Sequence, residues 1–322
     1  MFQPAINTTQ SAGLASVTTQ IFYKKTGLDR LMQTFRFYSA GDTDDIPKRS
    51  GRTVQWFRFN LLGANTTPSA EGVVGIPIPL GSSNFQATVE EFSDFTNLST
   101  MLIDTAINDM VAQASEDMSY RAALSVDLTV RSEIESNPAA IRQTQGAYFS
   151  AADINASITF LKAANVQPRD DGGWMMILHP YMTYDLLSDN SAGGFVEVMK
   201  YADPNRFIAG EIGRWMNTRI VETTNVAVVA GTGAQGANAK YHGYLFGKGG
   251  LGVVSLAGSG PNNVTDPRKS TFNVSVIRGD KSIYDPEGKI GAAVSYYYVF
   301  TAKTMDTVVP RFTIVEADVS LV

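Results

Sequence analysis

The chain of 322 residues has no cysteine at all and only two histidines, His179 and His242. That removes disulfides, thiolate metal sites and cysteine nucleophiles, and leaves too little imidazole for an ordinary zinc centre. Charge is also scarce: 18% of residues are charged, and the balance is −5. A surplus of negative charge lacks the long-range attraction that a nucleic-acid or anionic-membrane binder needs, so a nucleic acid near this protein is enclosed rather than gripped. No window approaches the ~18 apolar residues of a membrane span. The first 20 residues lack the basic and apolar regions of a secretory signal, which predicts that the chain stays in the compartment where it is made. The six Asn-x-Ser/Thr triplets, the first at Asn7, then read as by-products of an Asn- and Thr-rich composition. Nothing repeats with a period of 20 to 50 residues, so a solenoid or propeller is not expected.

What is present is a long two-stranded arm from Ile46 to Phe92. Arg52 to Leu61 (RTVQWFRFNL) is rich in β-branched and aromatic residues, and Phe85 to Val89 alternates apolar and polar, so both ends read as strands. Between them, Gly63 to Ser83 is dense in Gly, Pro, Thr, Asn and Ser, far beyond an ordinary hairpin loop. A lone hairpin is marginal in water. The arm therefore needs support from outside its own domain, and the natural partner is another copy of the chain.

Elsewhere, Val17 to Phe37 reads as a helix, preceded by a small, polar segment over residues 1 to 16 that is expected to order only against a neighbour. Asn97 to Ser136 contains no Gly or Pro and reads as a helix of roughly 60 Å, stopped by Asn137-Pro138. Ile103, Ile107, Met110, Val111, Ala114, Met118 and Ala122 share its apolar face. The alternative is two helices with a break near Ser125 to Val130, where β-branched residues weaken the propensity. Further helices are expected over Ala151 to Asn165 and Pro180 to Leu187, and a buried strand over Trp174 to Leu178. Strands then dominate: Arg219 to Glu222, Val226 to Ala230, Tyr244 to Phe246, Leu251 to Leu256, Thr271 to Arg278, Ile290 to Phe300 and Phe312 to Val315. The order predicts one interlocked α+β unit with an extension.

No motif makes a convincing chemical site. Gly231 to Gly236 (GTGAQG) fits the dinucleotide fingerprint, but no room for the required helix follows and no acidic residue stands about 20 positions on. Gly247 to Gly250 (GKGG) lacks the first glycine and the Ser or Thr of a phosphate loop and reads as a tight turn. His179, Asp185 and Ser188 share one short segment and so cannot converge as a triad; the histidine reads as a capping or partner-bonded residue. The acidic pairs Asp44-Asp45, Glu90-Glu91 and Asp170-Asp171 read as solvated turns. The expectation is no enzyme, no cofactor, no metal and no membrane.

Three stretches carry a family likeness: IPKRSGRTVQWFRF followed by ANTTPSAEGV (Ile46 to Phe59, Ala64 to Val73), EIGRWMNTRIVETTN (Glu211 to Asn225), and YDPEGKIGAAVSYYYVFTAKTMD (Tyr284 to Asp306). In order and spacing, from about residue 20 onward, the chain resembles the major capsid (coat) proteins of tailed bacteriophages, within them the N-four-like coat proteins. The resemblance implies an α+β Hong Kong 97-type capsid fold. Its parts would be an N-terminal arm and helix (1–45), an extended loop (46–92), a peripheral domain with a spine helix (93–171), a mainly axial domain (172–279) and return strands (280–322). It also implies hexamers and pentamers that close into an icosahedral shell around double-stranded DNA, assembled in the bacterial host cytoplasm with scaffolding and portal proteins, with a decoration protein as a further candidate partner. Trp56, Phe57, Phe59, Glu71 and Gly72 of the extended loop would make intersubunit contacts, and Ile103, Ile107, Met110, Val111 and Met118 would pack the spine helix. The sequence departs from the family at Tyr296 to Tyr298, where relatives often carry a basic residue. An encapsulin-like compartment enclosing cargo and, more remotely, a nucleotide-dependent enzyme remain the alternatives.

Overall fold

The computed structural model describes residues 35–69, 71–72, 74–138, 141–170, 173–188, 211–229, 239–257, 273–278, 285, 287–305 and 311–320. The described residues open with α1 (Phe37–Ala40), β1 (Asp42–Ile46), the arm strands β2 (Thr53–Phe59) and β3 (Ser82–Thr88), then β4 (Glu90–Ser99). Next come α2 (Thr100–Thr105), α3 (Met110–Ser136), β5 (Ile141–Tyr148), α4 (Ala151–Ala163), β6 (Trp174–Leu178) and α5 (Pro180–Ser188). The described elements of the last part are strands: β7 (Glu211–Trp215), β8 (Thr218–Glu222), β9 (Val228–Val229), β10 (Lys240–Phe246), β11 (Leu251–Leu256), β12 (Asn273–Arg278), β13 (Ile290–Thr304) and β14 (Phe312–Asp318). The expected helix over Val17 to Phe37 lies almost wholly outside the described residues, as does GTGAQG.

Two sheets organise the molecule. In the first, the long strand β13 is flanked by β4 on one side and by β12 and β11, one after the other along its length, on the other, with β1 beyond β11. In the second, the order is β5-β14-β10-β6-β8-β7, with β9 added to β10. β6 (WMMIL) is buried on both faces, as its unbroken apolar run predicts. Trp174, Met176 and Leu178 pack towards α4 and α5, whereas Met175 and Ile177 join the core beneath α3.

The long helix starts later than its composition predicts. Asn97 to Ser99 belong to β4, which pairs with β13 over ten positions, and the expected helix is interrupted at Ala106–Asp109. The cause is capping, not glycine or proline. Ser99 Oγ accepts the Leu102 N–H at 3.2 Å and starts α2, and Asp109 Oδ1 accepts from Val111 and Ala112 at 3.0 and 3.1 Å and starts α3 afresh. No break occurs at Ser125 to Val130, where Ser125 and Thr129 bond their hydroxyls back to carbonyls one turn earlier. The 27 residues of α3 make a rod of about 40 Å. Ala122, Val126, Val130 and Ile134 recur every four residues along it and are fully buried.

A buried polar joint ties α3 to its surroundings. Asp127 accepts the backbone N–H groups of Arg36 and Phe37 at 3.1 and 2.8 Å and the side-chain amide of Asn225 at 2.8 Å. One turn on, Arg131 donates to the carbonyl of Asn225 at 2.8 Å, and Glu135 receives Tyr244 Oη at 2.6 Å and faces His242 Nδ1 at 2.7 Å. Burial pushes the Asp127 carboxyl up to about 6 in spite of its hydrogen bonds from Asn225, Phe37, Arg36 and Tyr38.

Candidate assembly arm

β2 and β3 pair antiparallel from Thr53↔Thr88 to Phe59↔Ser82, so the arm is a true hairpin stem. Its register is closed at the far end by Asn60, whose N–H donates to Gly81 O at 2.8 Å and whose side chain receives Ser83 Oγ at 3.0 Å. Strand alternation then separates two roles. Val54 and Trp56 turn inward and pack with Ile46, Val89, Val254 and Val299 in a small core of their own. Phe57 and Phe59 turn outward, 70% and 65% exposed, with rings edge to face at 5.9 Å. Trp56 is thus the anchor of the arm on its own subunit, and the two phenylalanines are free surface.

The anchor requires a glycine beneath it. A methyl group added at Gly252 on β11 would stand 2.5 Å from Met305 Cε and 3.1 Å from Trp56 Cζ2, so only a bare backbone admits the indole. Beyond Asn60 the described arm residues form no strand, and Leu61, Val74, Ile76, Ile78 and Leu80 are all exposed, Val74 and Ile76 by more than 90%. Glu71 and Gly72 form a turn at the tip, with Gly72 at φ +78°, a conformation that glycine adopts without strain. Glu71 is the only charged residue between Arg58 and Glu90.

The residues expected to pack the long helix divide. Met118 is buried, and Met110 and Val111 lie half-buried at the start of α3. Ile103 instead sits on α2, its Cδ1 close above Gly291 of β13, and Ile107 falls in the interrupted segment with its side chain 58% exposed. A helix face read across a capped break cannot stay in phase, which is why these two leave the stripe.

The candidate chemical groups do other work. His179 Nδ1 accepts the Tyr181 N–H at 3.2 Å at the start of α5, and burial lowers its pKa, which favours the neutral ring. Asp185 accepts the N–H of Ser320 at 3.1 Å and also its hydroxyl, whereas Ser188 donates to Tyr184 O at 2.7 Å. The three side chains therefore serve separate caps and tethers. Gly247 to Gly250 make the turn joining β10 to β11, with Gly249 at φ +67°. A cleft of about 630 Å³ beside the arm is lined by Arg58, Phe59, Gln167, Lys248 and Arg311, but Lys248 is paired with Asp170. Among the described residues, no three acidic or histidine side chains converge as a metal site, and no helix is long and apolar enough to cross a membrane.

Neither a protein-family profile nor a curated protein matches the sequence. Solved structures do match, over nearly the whole chain. The capsid of Ralstonia phage GP4 aligns with a TM-score of 0.67 at 12% identity, covering 98% of this chain and 99% of that one. The Cyanophage Pam1 capsid aligns at 0.66 and 12% identity over 97% and 100% of the two chains. This chain has the Hong Kong 97-type capsid fold. The capsid of a native GTA particle matches likewise, with a TM-score of 0.63, 12% identity and coverage of 98% and 100%. At such low identity the capsid fold is held by patterning and packing, not by shared residues, so similarity in sequence alone leaves little to detect.

Proposed function

We propose that this chain is the major capsid protein of a tailed phage, assembling as hexamers and pentamers into an icosahedral shell around double-stranded DNA. One observation carries the reading. A chain with the capsid fold end to end projects an arm whose root is packed and whose outer third is aliphatic, carries Glu71 as its one charge and is uncovered by its own subunit. In this reading residues 46–92 are the extended loop, 93–171 with the return strands of 280–322 the peripheral domain, and 172–279 mainly the axial domain. Phe57, Phe59, Glu71 and Gly72 meet a neighbouring copy, and Trp56 aims them. Repetition around a local axis multiplies modest contacts into a closed particle. The interior holds DNA without reading its sequence, in keeping with a net charge of −5. Scaffolding and portal proteins belong to the assembly pathway in the host cytoplasm.

Electron microscopy of the purified chain, expressed with and without a co-encoded scaffold, tests this. Closed shells or capsomer rings are expected; a chain that stays monomeric at high concentration overturns the proposal, and shells that fill with protein cargo without scaffold or portal reassign it to an encapsulin-like compartment. The tip supplies a second test. Glu71→Lys sits on an exposed turn and should leave the unfolding midpoint within ~0.5 kcal/mol of wild type while impairing closure. Normal particles from that variant would remove Glu71 from the interface.

A further inference from the structure

We propose that the cleft between the root of the arm and the end of α4 is a binding site for a compact polyvalent oxyanion of the phosphate class. The site lies within a single subunit, so the proposal stands apart from the assembly reading.

The walls of the cleft come from distant parts of the chain and are locked to one another. One side is the turn between β10 and β11. Its Gly247 N–H donates to Arg311 O and its Lys248 N–H to Gln167 O, both at 2.9 Å, and Gly249 N–H donates to Asp42 Oδ2 at 3.2 Å. Next to the turn, α4 ends at Asn165, whose φ of +58° redirects the chain, and the N–H groups of Ala164, Asn165 and Val166 take up the carbonyls of Phe160, Lys162 and Leu161 at 2.9–3.0 Å. The remaining side is the arm, from Arg58 to Leu61. The space of about 630 Å³ that these pieces enclose is the size of a small-molecule site.

Its charge runs against that of the chain. Three cations line the cleft, Arg58, Lys248 and Arg311, against one carboxylate, Asp42, whereas the whole chain has a balance of −5. Each cation is positioned separately. Arg58 shares the strand face of Val54 and Trp56, and its guanidinium lies over the Phe85 ring at 5.9 Å. Arg311 reaches across the turn: its Nη1 donates to Lys248 O at 3.4 Å, and a methyl group added at Gly249 would stand 2.6 Å from that nitrogen. Glycine at 249 therefore leaves room for the guanidinium as well as supplying the positive φ of the turn. Lys248 pairs with Asp170, but the two side chains are 49% and 83% exposed, and a pair so screened by solvent yields readily to an anion of higher charge.

Two guanidinium groups and an ammonium suit phosphate better than a lone carboxylate. A guanidinium offers paired N–H groups to the oxygens of one phosphate, and a polyvalent anion offsets all three positive charges at once. Arg58 and Asn60 belong to the arm, and Gln167, Lys248 and Arg311 to the body. A bound anion thus also ties the arm to the body beneath it.

The test titrates inorganic pyrophosphate into the purified full-length chain by calorimetry at constant ionic strength, with limited proteolysis of residues 60 to 81 followed in the same solutions. Saturable binding that slows cleavage of the arm is expected, and Arg58→Gln and Lys248→Gln, neither at a buried position, should each weaken it about tenfold. The absence of saturable binding, a response that sodium chloride reproduces, or equal affinity in wild type and both variants overturns the site. A short DNA duplex that competes with pyrophosphate overturns the small-anion assignment in favour of a nucleic-acid backbone. None of these results depends on whether the chain forms shells.

Discussion

Asp127→Asn isolates a single buried charge. The side chain is fully buried, and burial outweighs the hydrogen bonds from Asn225, Phe37 and Arg36, so its carboxyl titrates at about 6 in the folded chain against an ordinary 3.8. Because the folded pKa is the higher one, the native state binds more protons between pH 4 and 6 and stability falls as pH rises through that window. The difference of about 2 units corresponds to roughly 3 kcal/mol of stability lost by pH 7 from this group alone, since one unit is worth about 1.4 kcal/mol. Asparagine keeps an oxygen for the Phe37 N–H but carries no charge, so it removes this slope and leaves every other titration in place. The assay is urea unfolding of the unassembled chain from pH 4 to 7.5, comparing wild type with variant at each pH. Relative to wild type, Asp127→Asn should fare worst near pH 4 and best above pH 6.5. Two stability curves that run parallel across the range would refute a buried, proton-linked Asp127.

Two further changes probe the packing. Phe37 is fully buried and meets the Tyr244 ring edge-on at 5.0 Å, so Phe37→Ala should cost about 3–5 kcal/mol in denaturant unfolding; a loss below ~1 kcal/mol would mean that α1 is not docked on α3 and β10. Gly252→Val displaces Trp56 and Met305, which should cost ~1–3 kcal/mol and expose residues 60 to 81 to faster limited proteolysis. An arm cleaved no faster than in wild type would show that Trp56 is not its anchor.

Much of the fold was legible because local signals and tertiary contacts agreed. The arm strands carry β-branched and aromatic residues up to a run of turn residues, and the structure pairs them within two or three positions of the expected ends. β6 and α5 are marked by an apolar run and an opening proline, and both form there. The misses share a cause: their partners are distant in sequence. β4 (EEFSDFTNLS) has neither Gly nor Pro, and only its pairing with β13, some 200 residues away, makes it a strand. β1 (DTDDI) is acidic and mostly exposed, a poor strand on propensity, yet parallel pairing with β11 holds it. β5 (IRQTQGAY) is likewise set by parallel pairing with β14. The interruption before α3 had a local signal that composition hid: Ser99 and Asp109 are both good N-caps, and weighing caps alongside helix breakers would have found it. Within the arm, the sequence singled out its aromatic cluster but could not separate Trp56 from Phe57, because which face of the strand meets the sheet is decided by Gly252, almost 200 residues on.

The composition of the outer arm also answers a problem that its exposure creates. A segment with Leu61, Leu62, Val74, Ile76, Ile78 and Leu80 in solvent and a single charge would, as a regular strand, be an open edge inviting uncontrolled pairing. Between Asn60 and Gly81 the chain places three glycines and three prolines, which deny it a continuous ladder without removing its apolar side chains. Such a segment gains little from one chance contact and much from a shaped face presented at a fixed distance and orientation. In the assembly proposed above, a ring of subunits would supply such a face at every position, so that contacts too weak to hold a dimer would add up around the closed ring. On that proposal, the same residues that leave the hairpin unfinished in one subunit favour assembly over aggregation.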